Sequence, residues 1–283
     1  MSLEAENPVM TNGNGKAATA TPKVEKTPVA ETPAVAPVAP VDPNVVMGTY
    51  LVPGRPLTPE ALAYYYDQNV LEAKENYDAN DWADPEQMYS QFDFFLSRVD
   101  LNGKTLLDVG TGNGLFFEYL AKKGIKPAAI TAIDISEEQI KVVKKRFPEV
   151  DAIAFDFFKY EFEESYDYVT LFGVAPCLKF IFPQKHRVSA LLRLMERSLR
   201  YAKEGVAISF LNRNCYEMCE IENYEYTYFY PEEFCSLLSG AKYEISTVDN
   251  DLVSNCFIHV RDAWDMPFRF NMNRLDDALN ILK

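Results

Sequence analysis

The 283 residues suit one sizeable domain with extra segments, and 48% hydrophobic with 13% aromatic content is ample for a core. A formal charge of −14, with no basic run, argues against a nucleic-acid backbone as partner. No apolar stretch approaches the ~18 residues a membrane helix needs, and the acidic start MSLEAEN lacks the apolar core of a secretory signal, so a cytoplasmic chain is expected. Five cysteines, Cys177, Cys215, Cys219, Cys235 and Cys256, form an odd, scattered set too far from histidine to suggest zinc. They read as free thiols of a reducing compartment, and no metal is expected.

Residues 1–46 are rich in Ala, Pro, Thr and Val and hold no aromatic residue. Such a segment cannot bury enough surface to offset its ordering entropy, so it reads as a disordered tail or tether, with partner binding as a second role. Residues 47–100 read as a helical N-terminal segment. Thr58-Pro59-Glu60 is a helix start, and its helix runs through Leu62, Tyr65, Tyr66 and Asn69 towards Tyr77. Asp84-Pro85-Glu86-Gln87 starts a second helix with Met88, Phe92, Phe95 and Val99 on its apolar side. Tyr64, Tyr65 and Tyr66 point in three directions on a helix, so at least one faces solvent or ligand, and Tyr65 is taken as a substrate candidate.

Residues 101–262 form the main domain. Thr105 to Val109 reads as a buried strand, followed at once by Gly110, Gly112 and Gly114 and by a helix that Gly124 closes. A strand turning through glycines into a helix exposes free N–H groups and lets a ligand approach the backbone closely. A pyrophosphate fingerprint would run G-x-G-x-x-G/A, whereas these glycines run G-x-G-x-G with Leu115 in the place of the third small residue. Asp108, two residues before the turn, suits a cationic ligand end rather than a phosphate. Ala128 to Ile135 is the second strand, ending in Asp134, whose carboxylate can accept from a ribose diol. Ser136-x-x-Gln139 then reads as a capping box. Val150 to Phe158 is a third strand carrying Asp156 and Phe157 at its end. Tyr166 to Gly173 is a fourth, with Asp167 at the end far from the ligand. A helix over residues 182–201 begins near His186, the candidate general base because imidazole titrates near neutral pH. Gly205 to Leu211 is a fifth strand. It leads into an insert over residues 212–230 in which Asn212, Arg213 and Tyr226 are substrate candidates. A helix from Pro231 to Gly240 and two strands, 241–248 and 252–261, close the domain around the turn at 249–251. Residues 263–283 read as a C-terminal extension with a short helix.

DVGTGNG resembles the first motif of the class I S-adenosylmethionine-dependent methyltransferases, and the likeness extends over about residues 85–261. The resemblance implies an α/β fold: a seven-stranded, mostly parallel sheet with an antiparallel last strand and helices on both faces, the leading helices forming a lid. It implies S-adenosyl-L-methionine as cofactor, with Gly110, Thr111, Gly112 and Gly114 around the methionine end and Asp108 near its ammonium. Asp134 and Ile135 would meet the ribose, Asp156 and Phe157 the adenine, and Phe172 with Gly173 would also stand beside the cofactor. The fourth strand continues as GVAPCLKF and lacks the Asn/Asp-Pro-Pro-Tyr/Phe tetrapeptide of enzymes that methylate DNA bases or glutamine amides. The expected acceptor is therefore an O, N or C nucleophile on a small molecule. The alternative is a non-catalytic S-adenosylmethionine-binding scaffold or sensor module, and a nicotinamide oxidoreductase stands third.

Overall fold

A computed structural model describes residues 58–80, 82, 85–159, 161–180, 187–215, 226–238, 241–246 and 252–260. The tail 1–46, His186, most of the insert, the turn at 249–251 and the extension 263–283 lie outside the described residues.

Helix α1, Pro59–Glu72, starts as its sequence dictates: Thr58 is the extended N-cap and its hydroxyl accepts from the Ala61 N–H at 3.2 Å, with Pro59 in the first turn. It stops five residues before Tyr77, and a short 3₁₀ turn, Asp78–Asn80, follows. The Asp78 carboxylate accepts from the Glu75 N–H at 3.1 Å, a local bond that competes with helix. Helix α2, Pro85–Leu96, buries Met88, Phe92 and Phe95.

The sheet strands are β1 Thr105–Val109, β2 Ala129–Asp134, β3 Asp151–Ala154, β4 Tyr166–Leu171, β5 Ala202–Asn212, β6 Tyr228–Phe229, β7 Lys242–Ser246 and β8 Val253–His259. Their order is β3-β2-β1-β4-β5-β8-β7, with β6 paired to the end of β5. All pairings are parallel except those of β8, which runs antiparallel to both neighbours. The intervening helices are α3 Leu115–Lys123, α4 Glu137–Arg146, α5 Arg187–Tyr201 and α6 Pro231–Leu237.

Alternation along the strands builds two cores. Leu107, Val109, Ile133, Val169 and Ile208 meet Leu191, Leu194 and Met195 of α5 on one face. Leu106, Ala132, Tyr168 and Ala207 meet Phe92 and Phe95 of α2, Phe116 and Leu120 of α3 and Val143 of α4 on the other. The expected α/β fold, mostly parallel with an antiparallel last strand and helices on both faces, is therefore present.

Several boundaries differ from the sequence reading. Strand β3 ends at Ala154, because the Asp156 carboxylate accepts from the Phe158 N–H at 2.9 Å and turns the chain. Strand β5 starts at Ala202 with no intervening loop, since Ala202 is buried and pairs with Tyr166 across a bulge. Asp167, at the end of the sheet away from the glycines, accepts from the Thr105 N–H and hydroxyl at 2.8 and 3.0 Å, a structural tie between β1 and β4. No helix among the described residues is long and apolar enough to cross a membrane.

Candidate cofactor site

The sheet order reverses at β1, with β2 on one side and β4 on the other, and ligands of open α/β sheets collect at such a point. The glycine turn leaves β1 here. The N–H groups of Gly110 and Thr111 donate to the Ile133 carbonyl at 2.7 and 3.0 Å, folding the turn onto β2. Gly112 lies at φ +54°, a backbone region open to glycine, and a Cβ there would run into the Asn80 amide.

Asn80 is part of a clamp. Its side-chain oxygen accepts from the Asn113 N–H at 3.3 Å, and its amide nitrogen donates to the Asn113 side-chain oxygen at 3.2 Å. The Asn113 amide nitrogen donates to the Asn76 carbonyl at 2.6 Å, and Arg146 donates to the Asn113 carbonyl at 2.8 Å. The segment after α1 is thus fastened to the cofactor turn by side-chain amides, a role that no local sequence pattern announces.

Asp108 is 3% exposed and accepts from the Thr170 hydroxyl at 2.5 Å. Burial pushes its carboxyl up to about 6, against the pull of that hydroxyl. Thr111 Oγ1 lies beside it, yet is buried without a hydrogen bond of normal geometry. Asp134 is also buried; one oxygen accepts from the Gly112 N–H at 2.8 Å and the other from the Ser136 N–H at 2.9 Å. Burial raises it too to about 6, opposed by those N–H groups.

The capping box is only half made. Ser136 Oγ accepts from the Gln139 N–H at 3.1 Å, as expected. The Ser136 N–H, which the Gln139 side chain would have met, is taken by Asp134. Gln139 instead donates through Nε2 to the Ala79 carbonyl at 2.7 Å. Asp67 of α1 accepts from the Ser136 hydroxyl at 2.5 Å and from the Glu138 N–H at 3.1 Å, adding a second cap from outside the helix.

One cleft brings most of the expected residues together: Asp108, Gly110, Thr111, Gly112, Asp134, Ile135, Asp156, Phe157, Phe172 and Gly173 all line it. Its free volume is roughly 1000 Å³ with the open mouth included, and Tyr66, Trp82, Phe92 and Phe155 add an aromatic wall. Gly114 stands back from it as the left-handed N-cap of α3, packed beside Phe147. Tyr66, rather than Tyr65, reaches the cleft, with its hydroxyl 3.2 Å from Cys177 Sγ; Tyr65 packs edge-on against Tyr66. Asn212, Arg213 and Tyr226 are not among the lining residues: Asn212 is buried at the end of β5, and Arg213 lies over the Tyr230 ring at 5.2 Å.

The sheet order, the single antiparallel strand and the glycine turn above β1 define a class I methyltransferase fold. Residues 106–202 match the family model described as a methyltransferase domain. A probable (S)-tetrahydroprotoberberine N-methyltransferase 2 of Papaver bracteatum is 25% identical over 189 residues, covering 63% of this chain and 51% of that protein. A ubiquinone biosynthesis O-methyltransferase of Xylella fastidiosa is 46% identical over 54 residues, 19% of this chain and 21% of that one. The chain thus spans about half or less of the length of these relatives. The crystal structure of the N-methyltransferase NodS from Bradyrhizobium japonicum, in complex with S-adenosyl-L-homocysteine, aligns with a TM-score of 0.51 at 11% identity over 70% of this chain and 97% of that one. Residues 106–202 thus match a methyltransferase domain, and the fold is that of the class I S-adenosylmethionine-dependent methyltransferases.

Proposed function

We propose that this protein transfers a methyl group from S-adenosylmethionine to an O, N or C nucleophile on a small molecule. The observation that carries this reading is the convergence of Asp108, Asp134 and Asp156, from the ends of β1 and β2 and just beyond β3, on the cleft that also holds the glycine turn. The donor set fits such a cofactor. Asp108 is a buried carboxylate with no cationic partner among its hydrogen bonds, which an ammonium would supply. The Thr111 side chain lies beside it, and Gly112 leaves the turn without a side chain. When bound, S-adenosylmethionine supplies a methyl group made electrophilic by its sulfonium.

The residues around it do the rest. Asp134, fixed by two backbone N–H groups, presents its remaining lone pairs to a ribose. Phe155 and Phe157 would give the adenine ring apolar faces, and Asp156, beside them in the cleft wall, would accept from its amine. Trp82, Phe92 and Phe172 give the cleft an apolar wall that would keep water from the methyl group, and Tyr66 with Cys177 would border the acceptor. Holding the acceptor in line supplies much of the acceleration. For a hydroxyl acceptor a proton must also leave, and His186 is our candidate to take it.

Two measurements test the proposal. Calorimetry should show S-adenosylhomocysteine binding to wild type, with Asp134→Ala losing about 10- to 100-fold, the range for hydrogen bonds to a charged group. Equal affinity would reject the site. Transfer of labelled methyl to the small-molecule fraction of a cell extract distinguishes an enzyme from a module that only binds.

A further inference from the structure

The cleft divides by strand. Asp156 follows β3, Asp134 ends β2 and Asp108 lies in β1, and the cofactor reading gives these the adenine, the ribose and the ammonium. The next strand in the sheet is β4, which leaves the acceptor the wall made by the end of β4 and the 3₁₀ segment Ala175–Phe180.

Three contacts build that wall. Trp82 lies across Gly173, where a Cβ would sit 3.4 Å from the indole. Val174 closes on the glycine turn, where its methyl group occupies the place of a Cβ on Gly110. Leu62 and Tyr66 of α1 pack on Cys177. Polar groups here are spent on one another. The Gly173 N–H donates to the Ser209 hydroxyl oxygen at 2.9 Å, the Cys177 thiol donates to the Gly173 carbonyl at 3.6 Å, and the Tyr66 hydroxyl stands 3.2 Å from the same sulfur. What meets the acceptor is therefore mostly carbon, much of it aromatic, since Phe92 and Phe172 share a packed cluster with Trp82.

Charge points the same way. Among the described residues, Asp108, Asp134 and Asp156 are the charged side chains lining the cleft, and the whole chain carries −14. An anionic acceptor would leave water for an apolar wall beside like charges, and both steps are costly. A ring system gains instead, burying its faces and edges against Trp82 and Tyr66. Resting on the methyl-transfer reading above, we propose that the acceptor is an apolar, ring-bearing molecule with no carboxylate, phosphate or sulfate group.

The test gives the full chain labelled S-adenosylmethionine and the small-molecule fraction of an extract of the source cells, then sorts the labelled product. Label should be retained on a reversed-phase column, pass through an anion exchanger near pH 8 and resist mild alkali. Label that binds the anion exchanger, that runs unretained on the reversed phase, or that leaves in alkali as methanol from a methylated carboxylate would overturn the proposal and leave methyl transfer standing. With the retained fraction as substrate, Trp82→Ala, and Trp82→Leu beside it in case one variant fails to fold, should raise KM about 10-fold, and Trp82→Phe should recover most of that loss. Affinity for S-adenosylhomocysteine should change less than about twofold in all three variants. An unchanged KM, or an equal loss of S-adenosylhomocysteine affinity, would overturn the place assigned to the acceptor. Wild type that binds no S-adenosylhomocysteine would remove the cofactor reading, and binding without any transfer would remove the enzyme reading; this inference falls with either.

Discussion

Replacing Asp108 by asparagine should make the ligand-free protein more stable while weakening its hold on the cofactor. The carboxyl is displaced from 3.8 to about 6, chiefly by burial. A displacement of that size corresponds to about 3 kcal/mol of native-state penalty once the pH is well above 6. The sign follows from linkage. An acid whose pKa is raised on folding contributes its full stability below about pH 3.8 and loses it as pH rises through about 6. Asparagine removes the charge and keeps an oxygen to accept from the Thr170 hydroxyl. Urea unfolding near pH 8 should therefore show Asp108→Asn more stable by up to about 3 kcal/mol, with roughly half that gain near pH 5. Excess S-adenosylhomocysteine should reverse the ranking, because only wild type offers an anion to the ammonium. A variant less stable than wild type near pH 8, or a gap that does not widen from pH 5 to pH 8, would refute the reasoning.

Gly112→Ala should destabilise the protein by about 2 kcal/mol or more, from left-handed strain and collision with the Asn80 amide, and Asn80→Ala in the same chain should relieve the collision but not the strain; chemical denaturation of the single and double variants checks both. Asn113→Ala should cost about 2–3 kcal/mol, since it removes the bonds to Asn76 and Asn80 from a residue only 3% exposed; thermal unfolding reads the loss. Asp67→Ala should cost about 1 kcal/mol, the usual value of a helix cap, because the Glu138 N–H and the Ser136 hydroxyl both lose their acceptor. S-adenosylhomocysteine affinity should weaken as pH falls through about 6, where Asp108 and Asp134 take up protons in the free protein; calorimetry from about pH 5 to pH 8 follows it.

What the sequence revealed about the site is what depends on short stretches of chain. A strand, a glycine turn and a helix are adjacent in sequence, so Asp108, Gly110 and Gly112 could be placed together from spacing alone. Asp134 and Asp156 follow from the repeat of strand and helix, which returns the chain to the same end of the sheet. Choosing Tyr66 over Tyr65 needs the packing of α1 on Cys177 and Ile135, and adjacent tyrosines carry no such information. The Asn76, Asn80 and Asn113 clamp was hidden because asparagine in a loop normally signals a turn. The half-made box at Ser136 and Gln139 shows a local rule correctly recognised and then partly overridden by a carboxylate one strand tip away.

These overrides share a physical cause. The cleft concentrates carboxylates where burial opposes their charge, and Asp134 is kept there by backbone N–H groups rather than by a cationic side chain. An Arg or Lys paired with Asp108 or Asp134 would stabilise the empty protein but would compete with a cationic ligand for the same oxygens. Amide side chains avoid that conflict. Asn80, Asn113 and Gln139 fasten the segment after α1 to the glycine turn and to α4 without adding charge. A neutral clamp around buried acids is thus what a site for a positively charged cofactor requires: firm enough to hold the turn, and silent in the electrostatics that the ligand must complete.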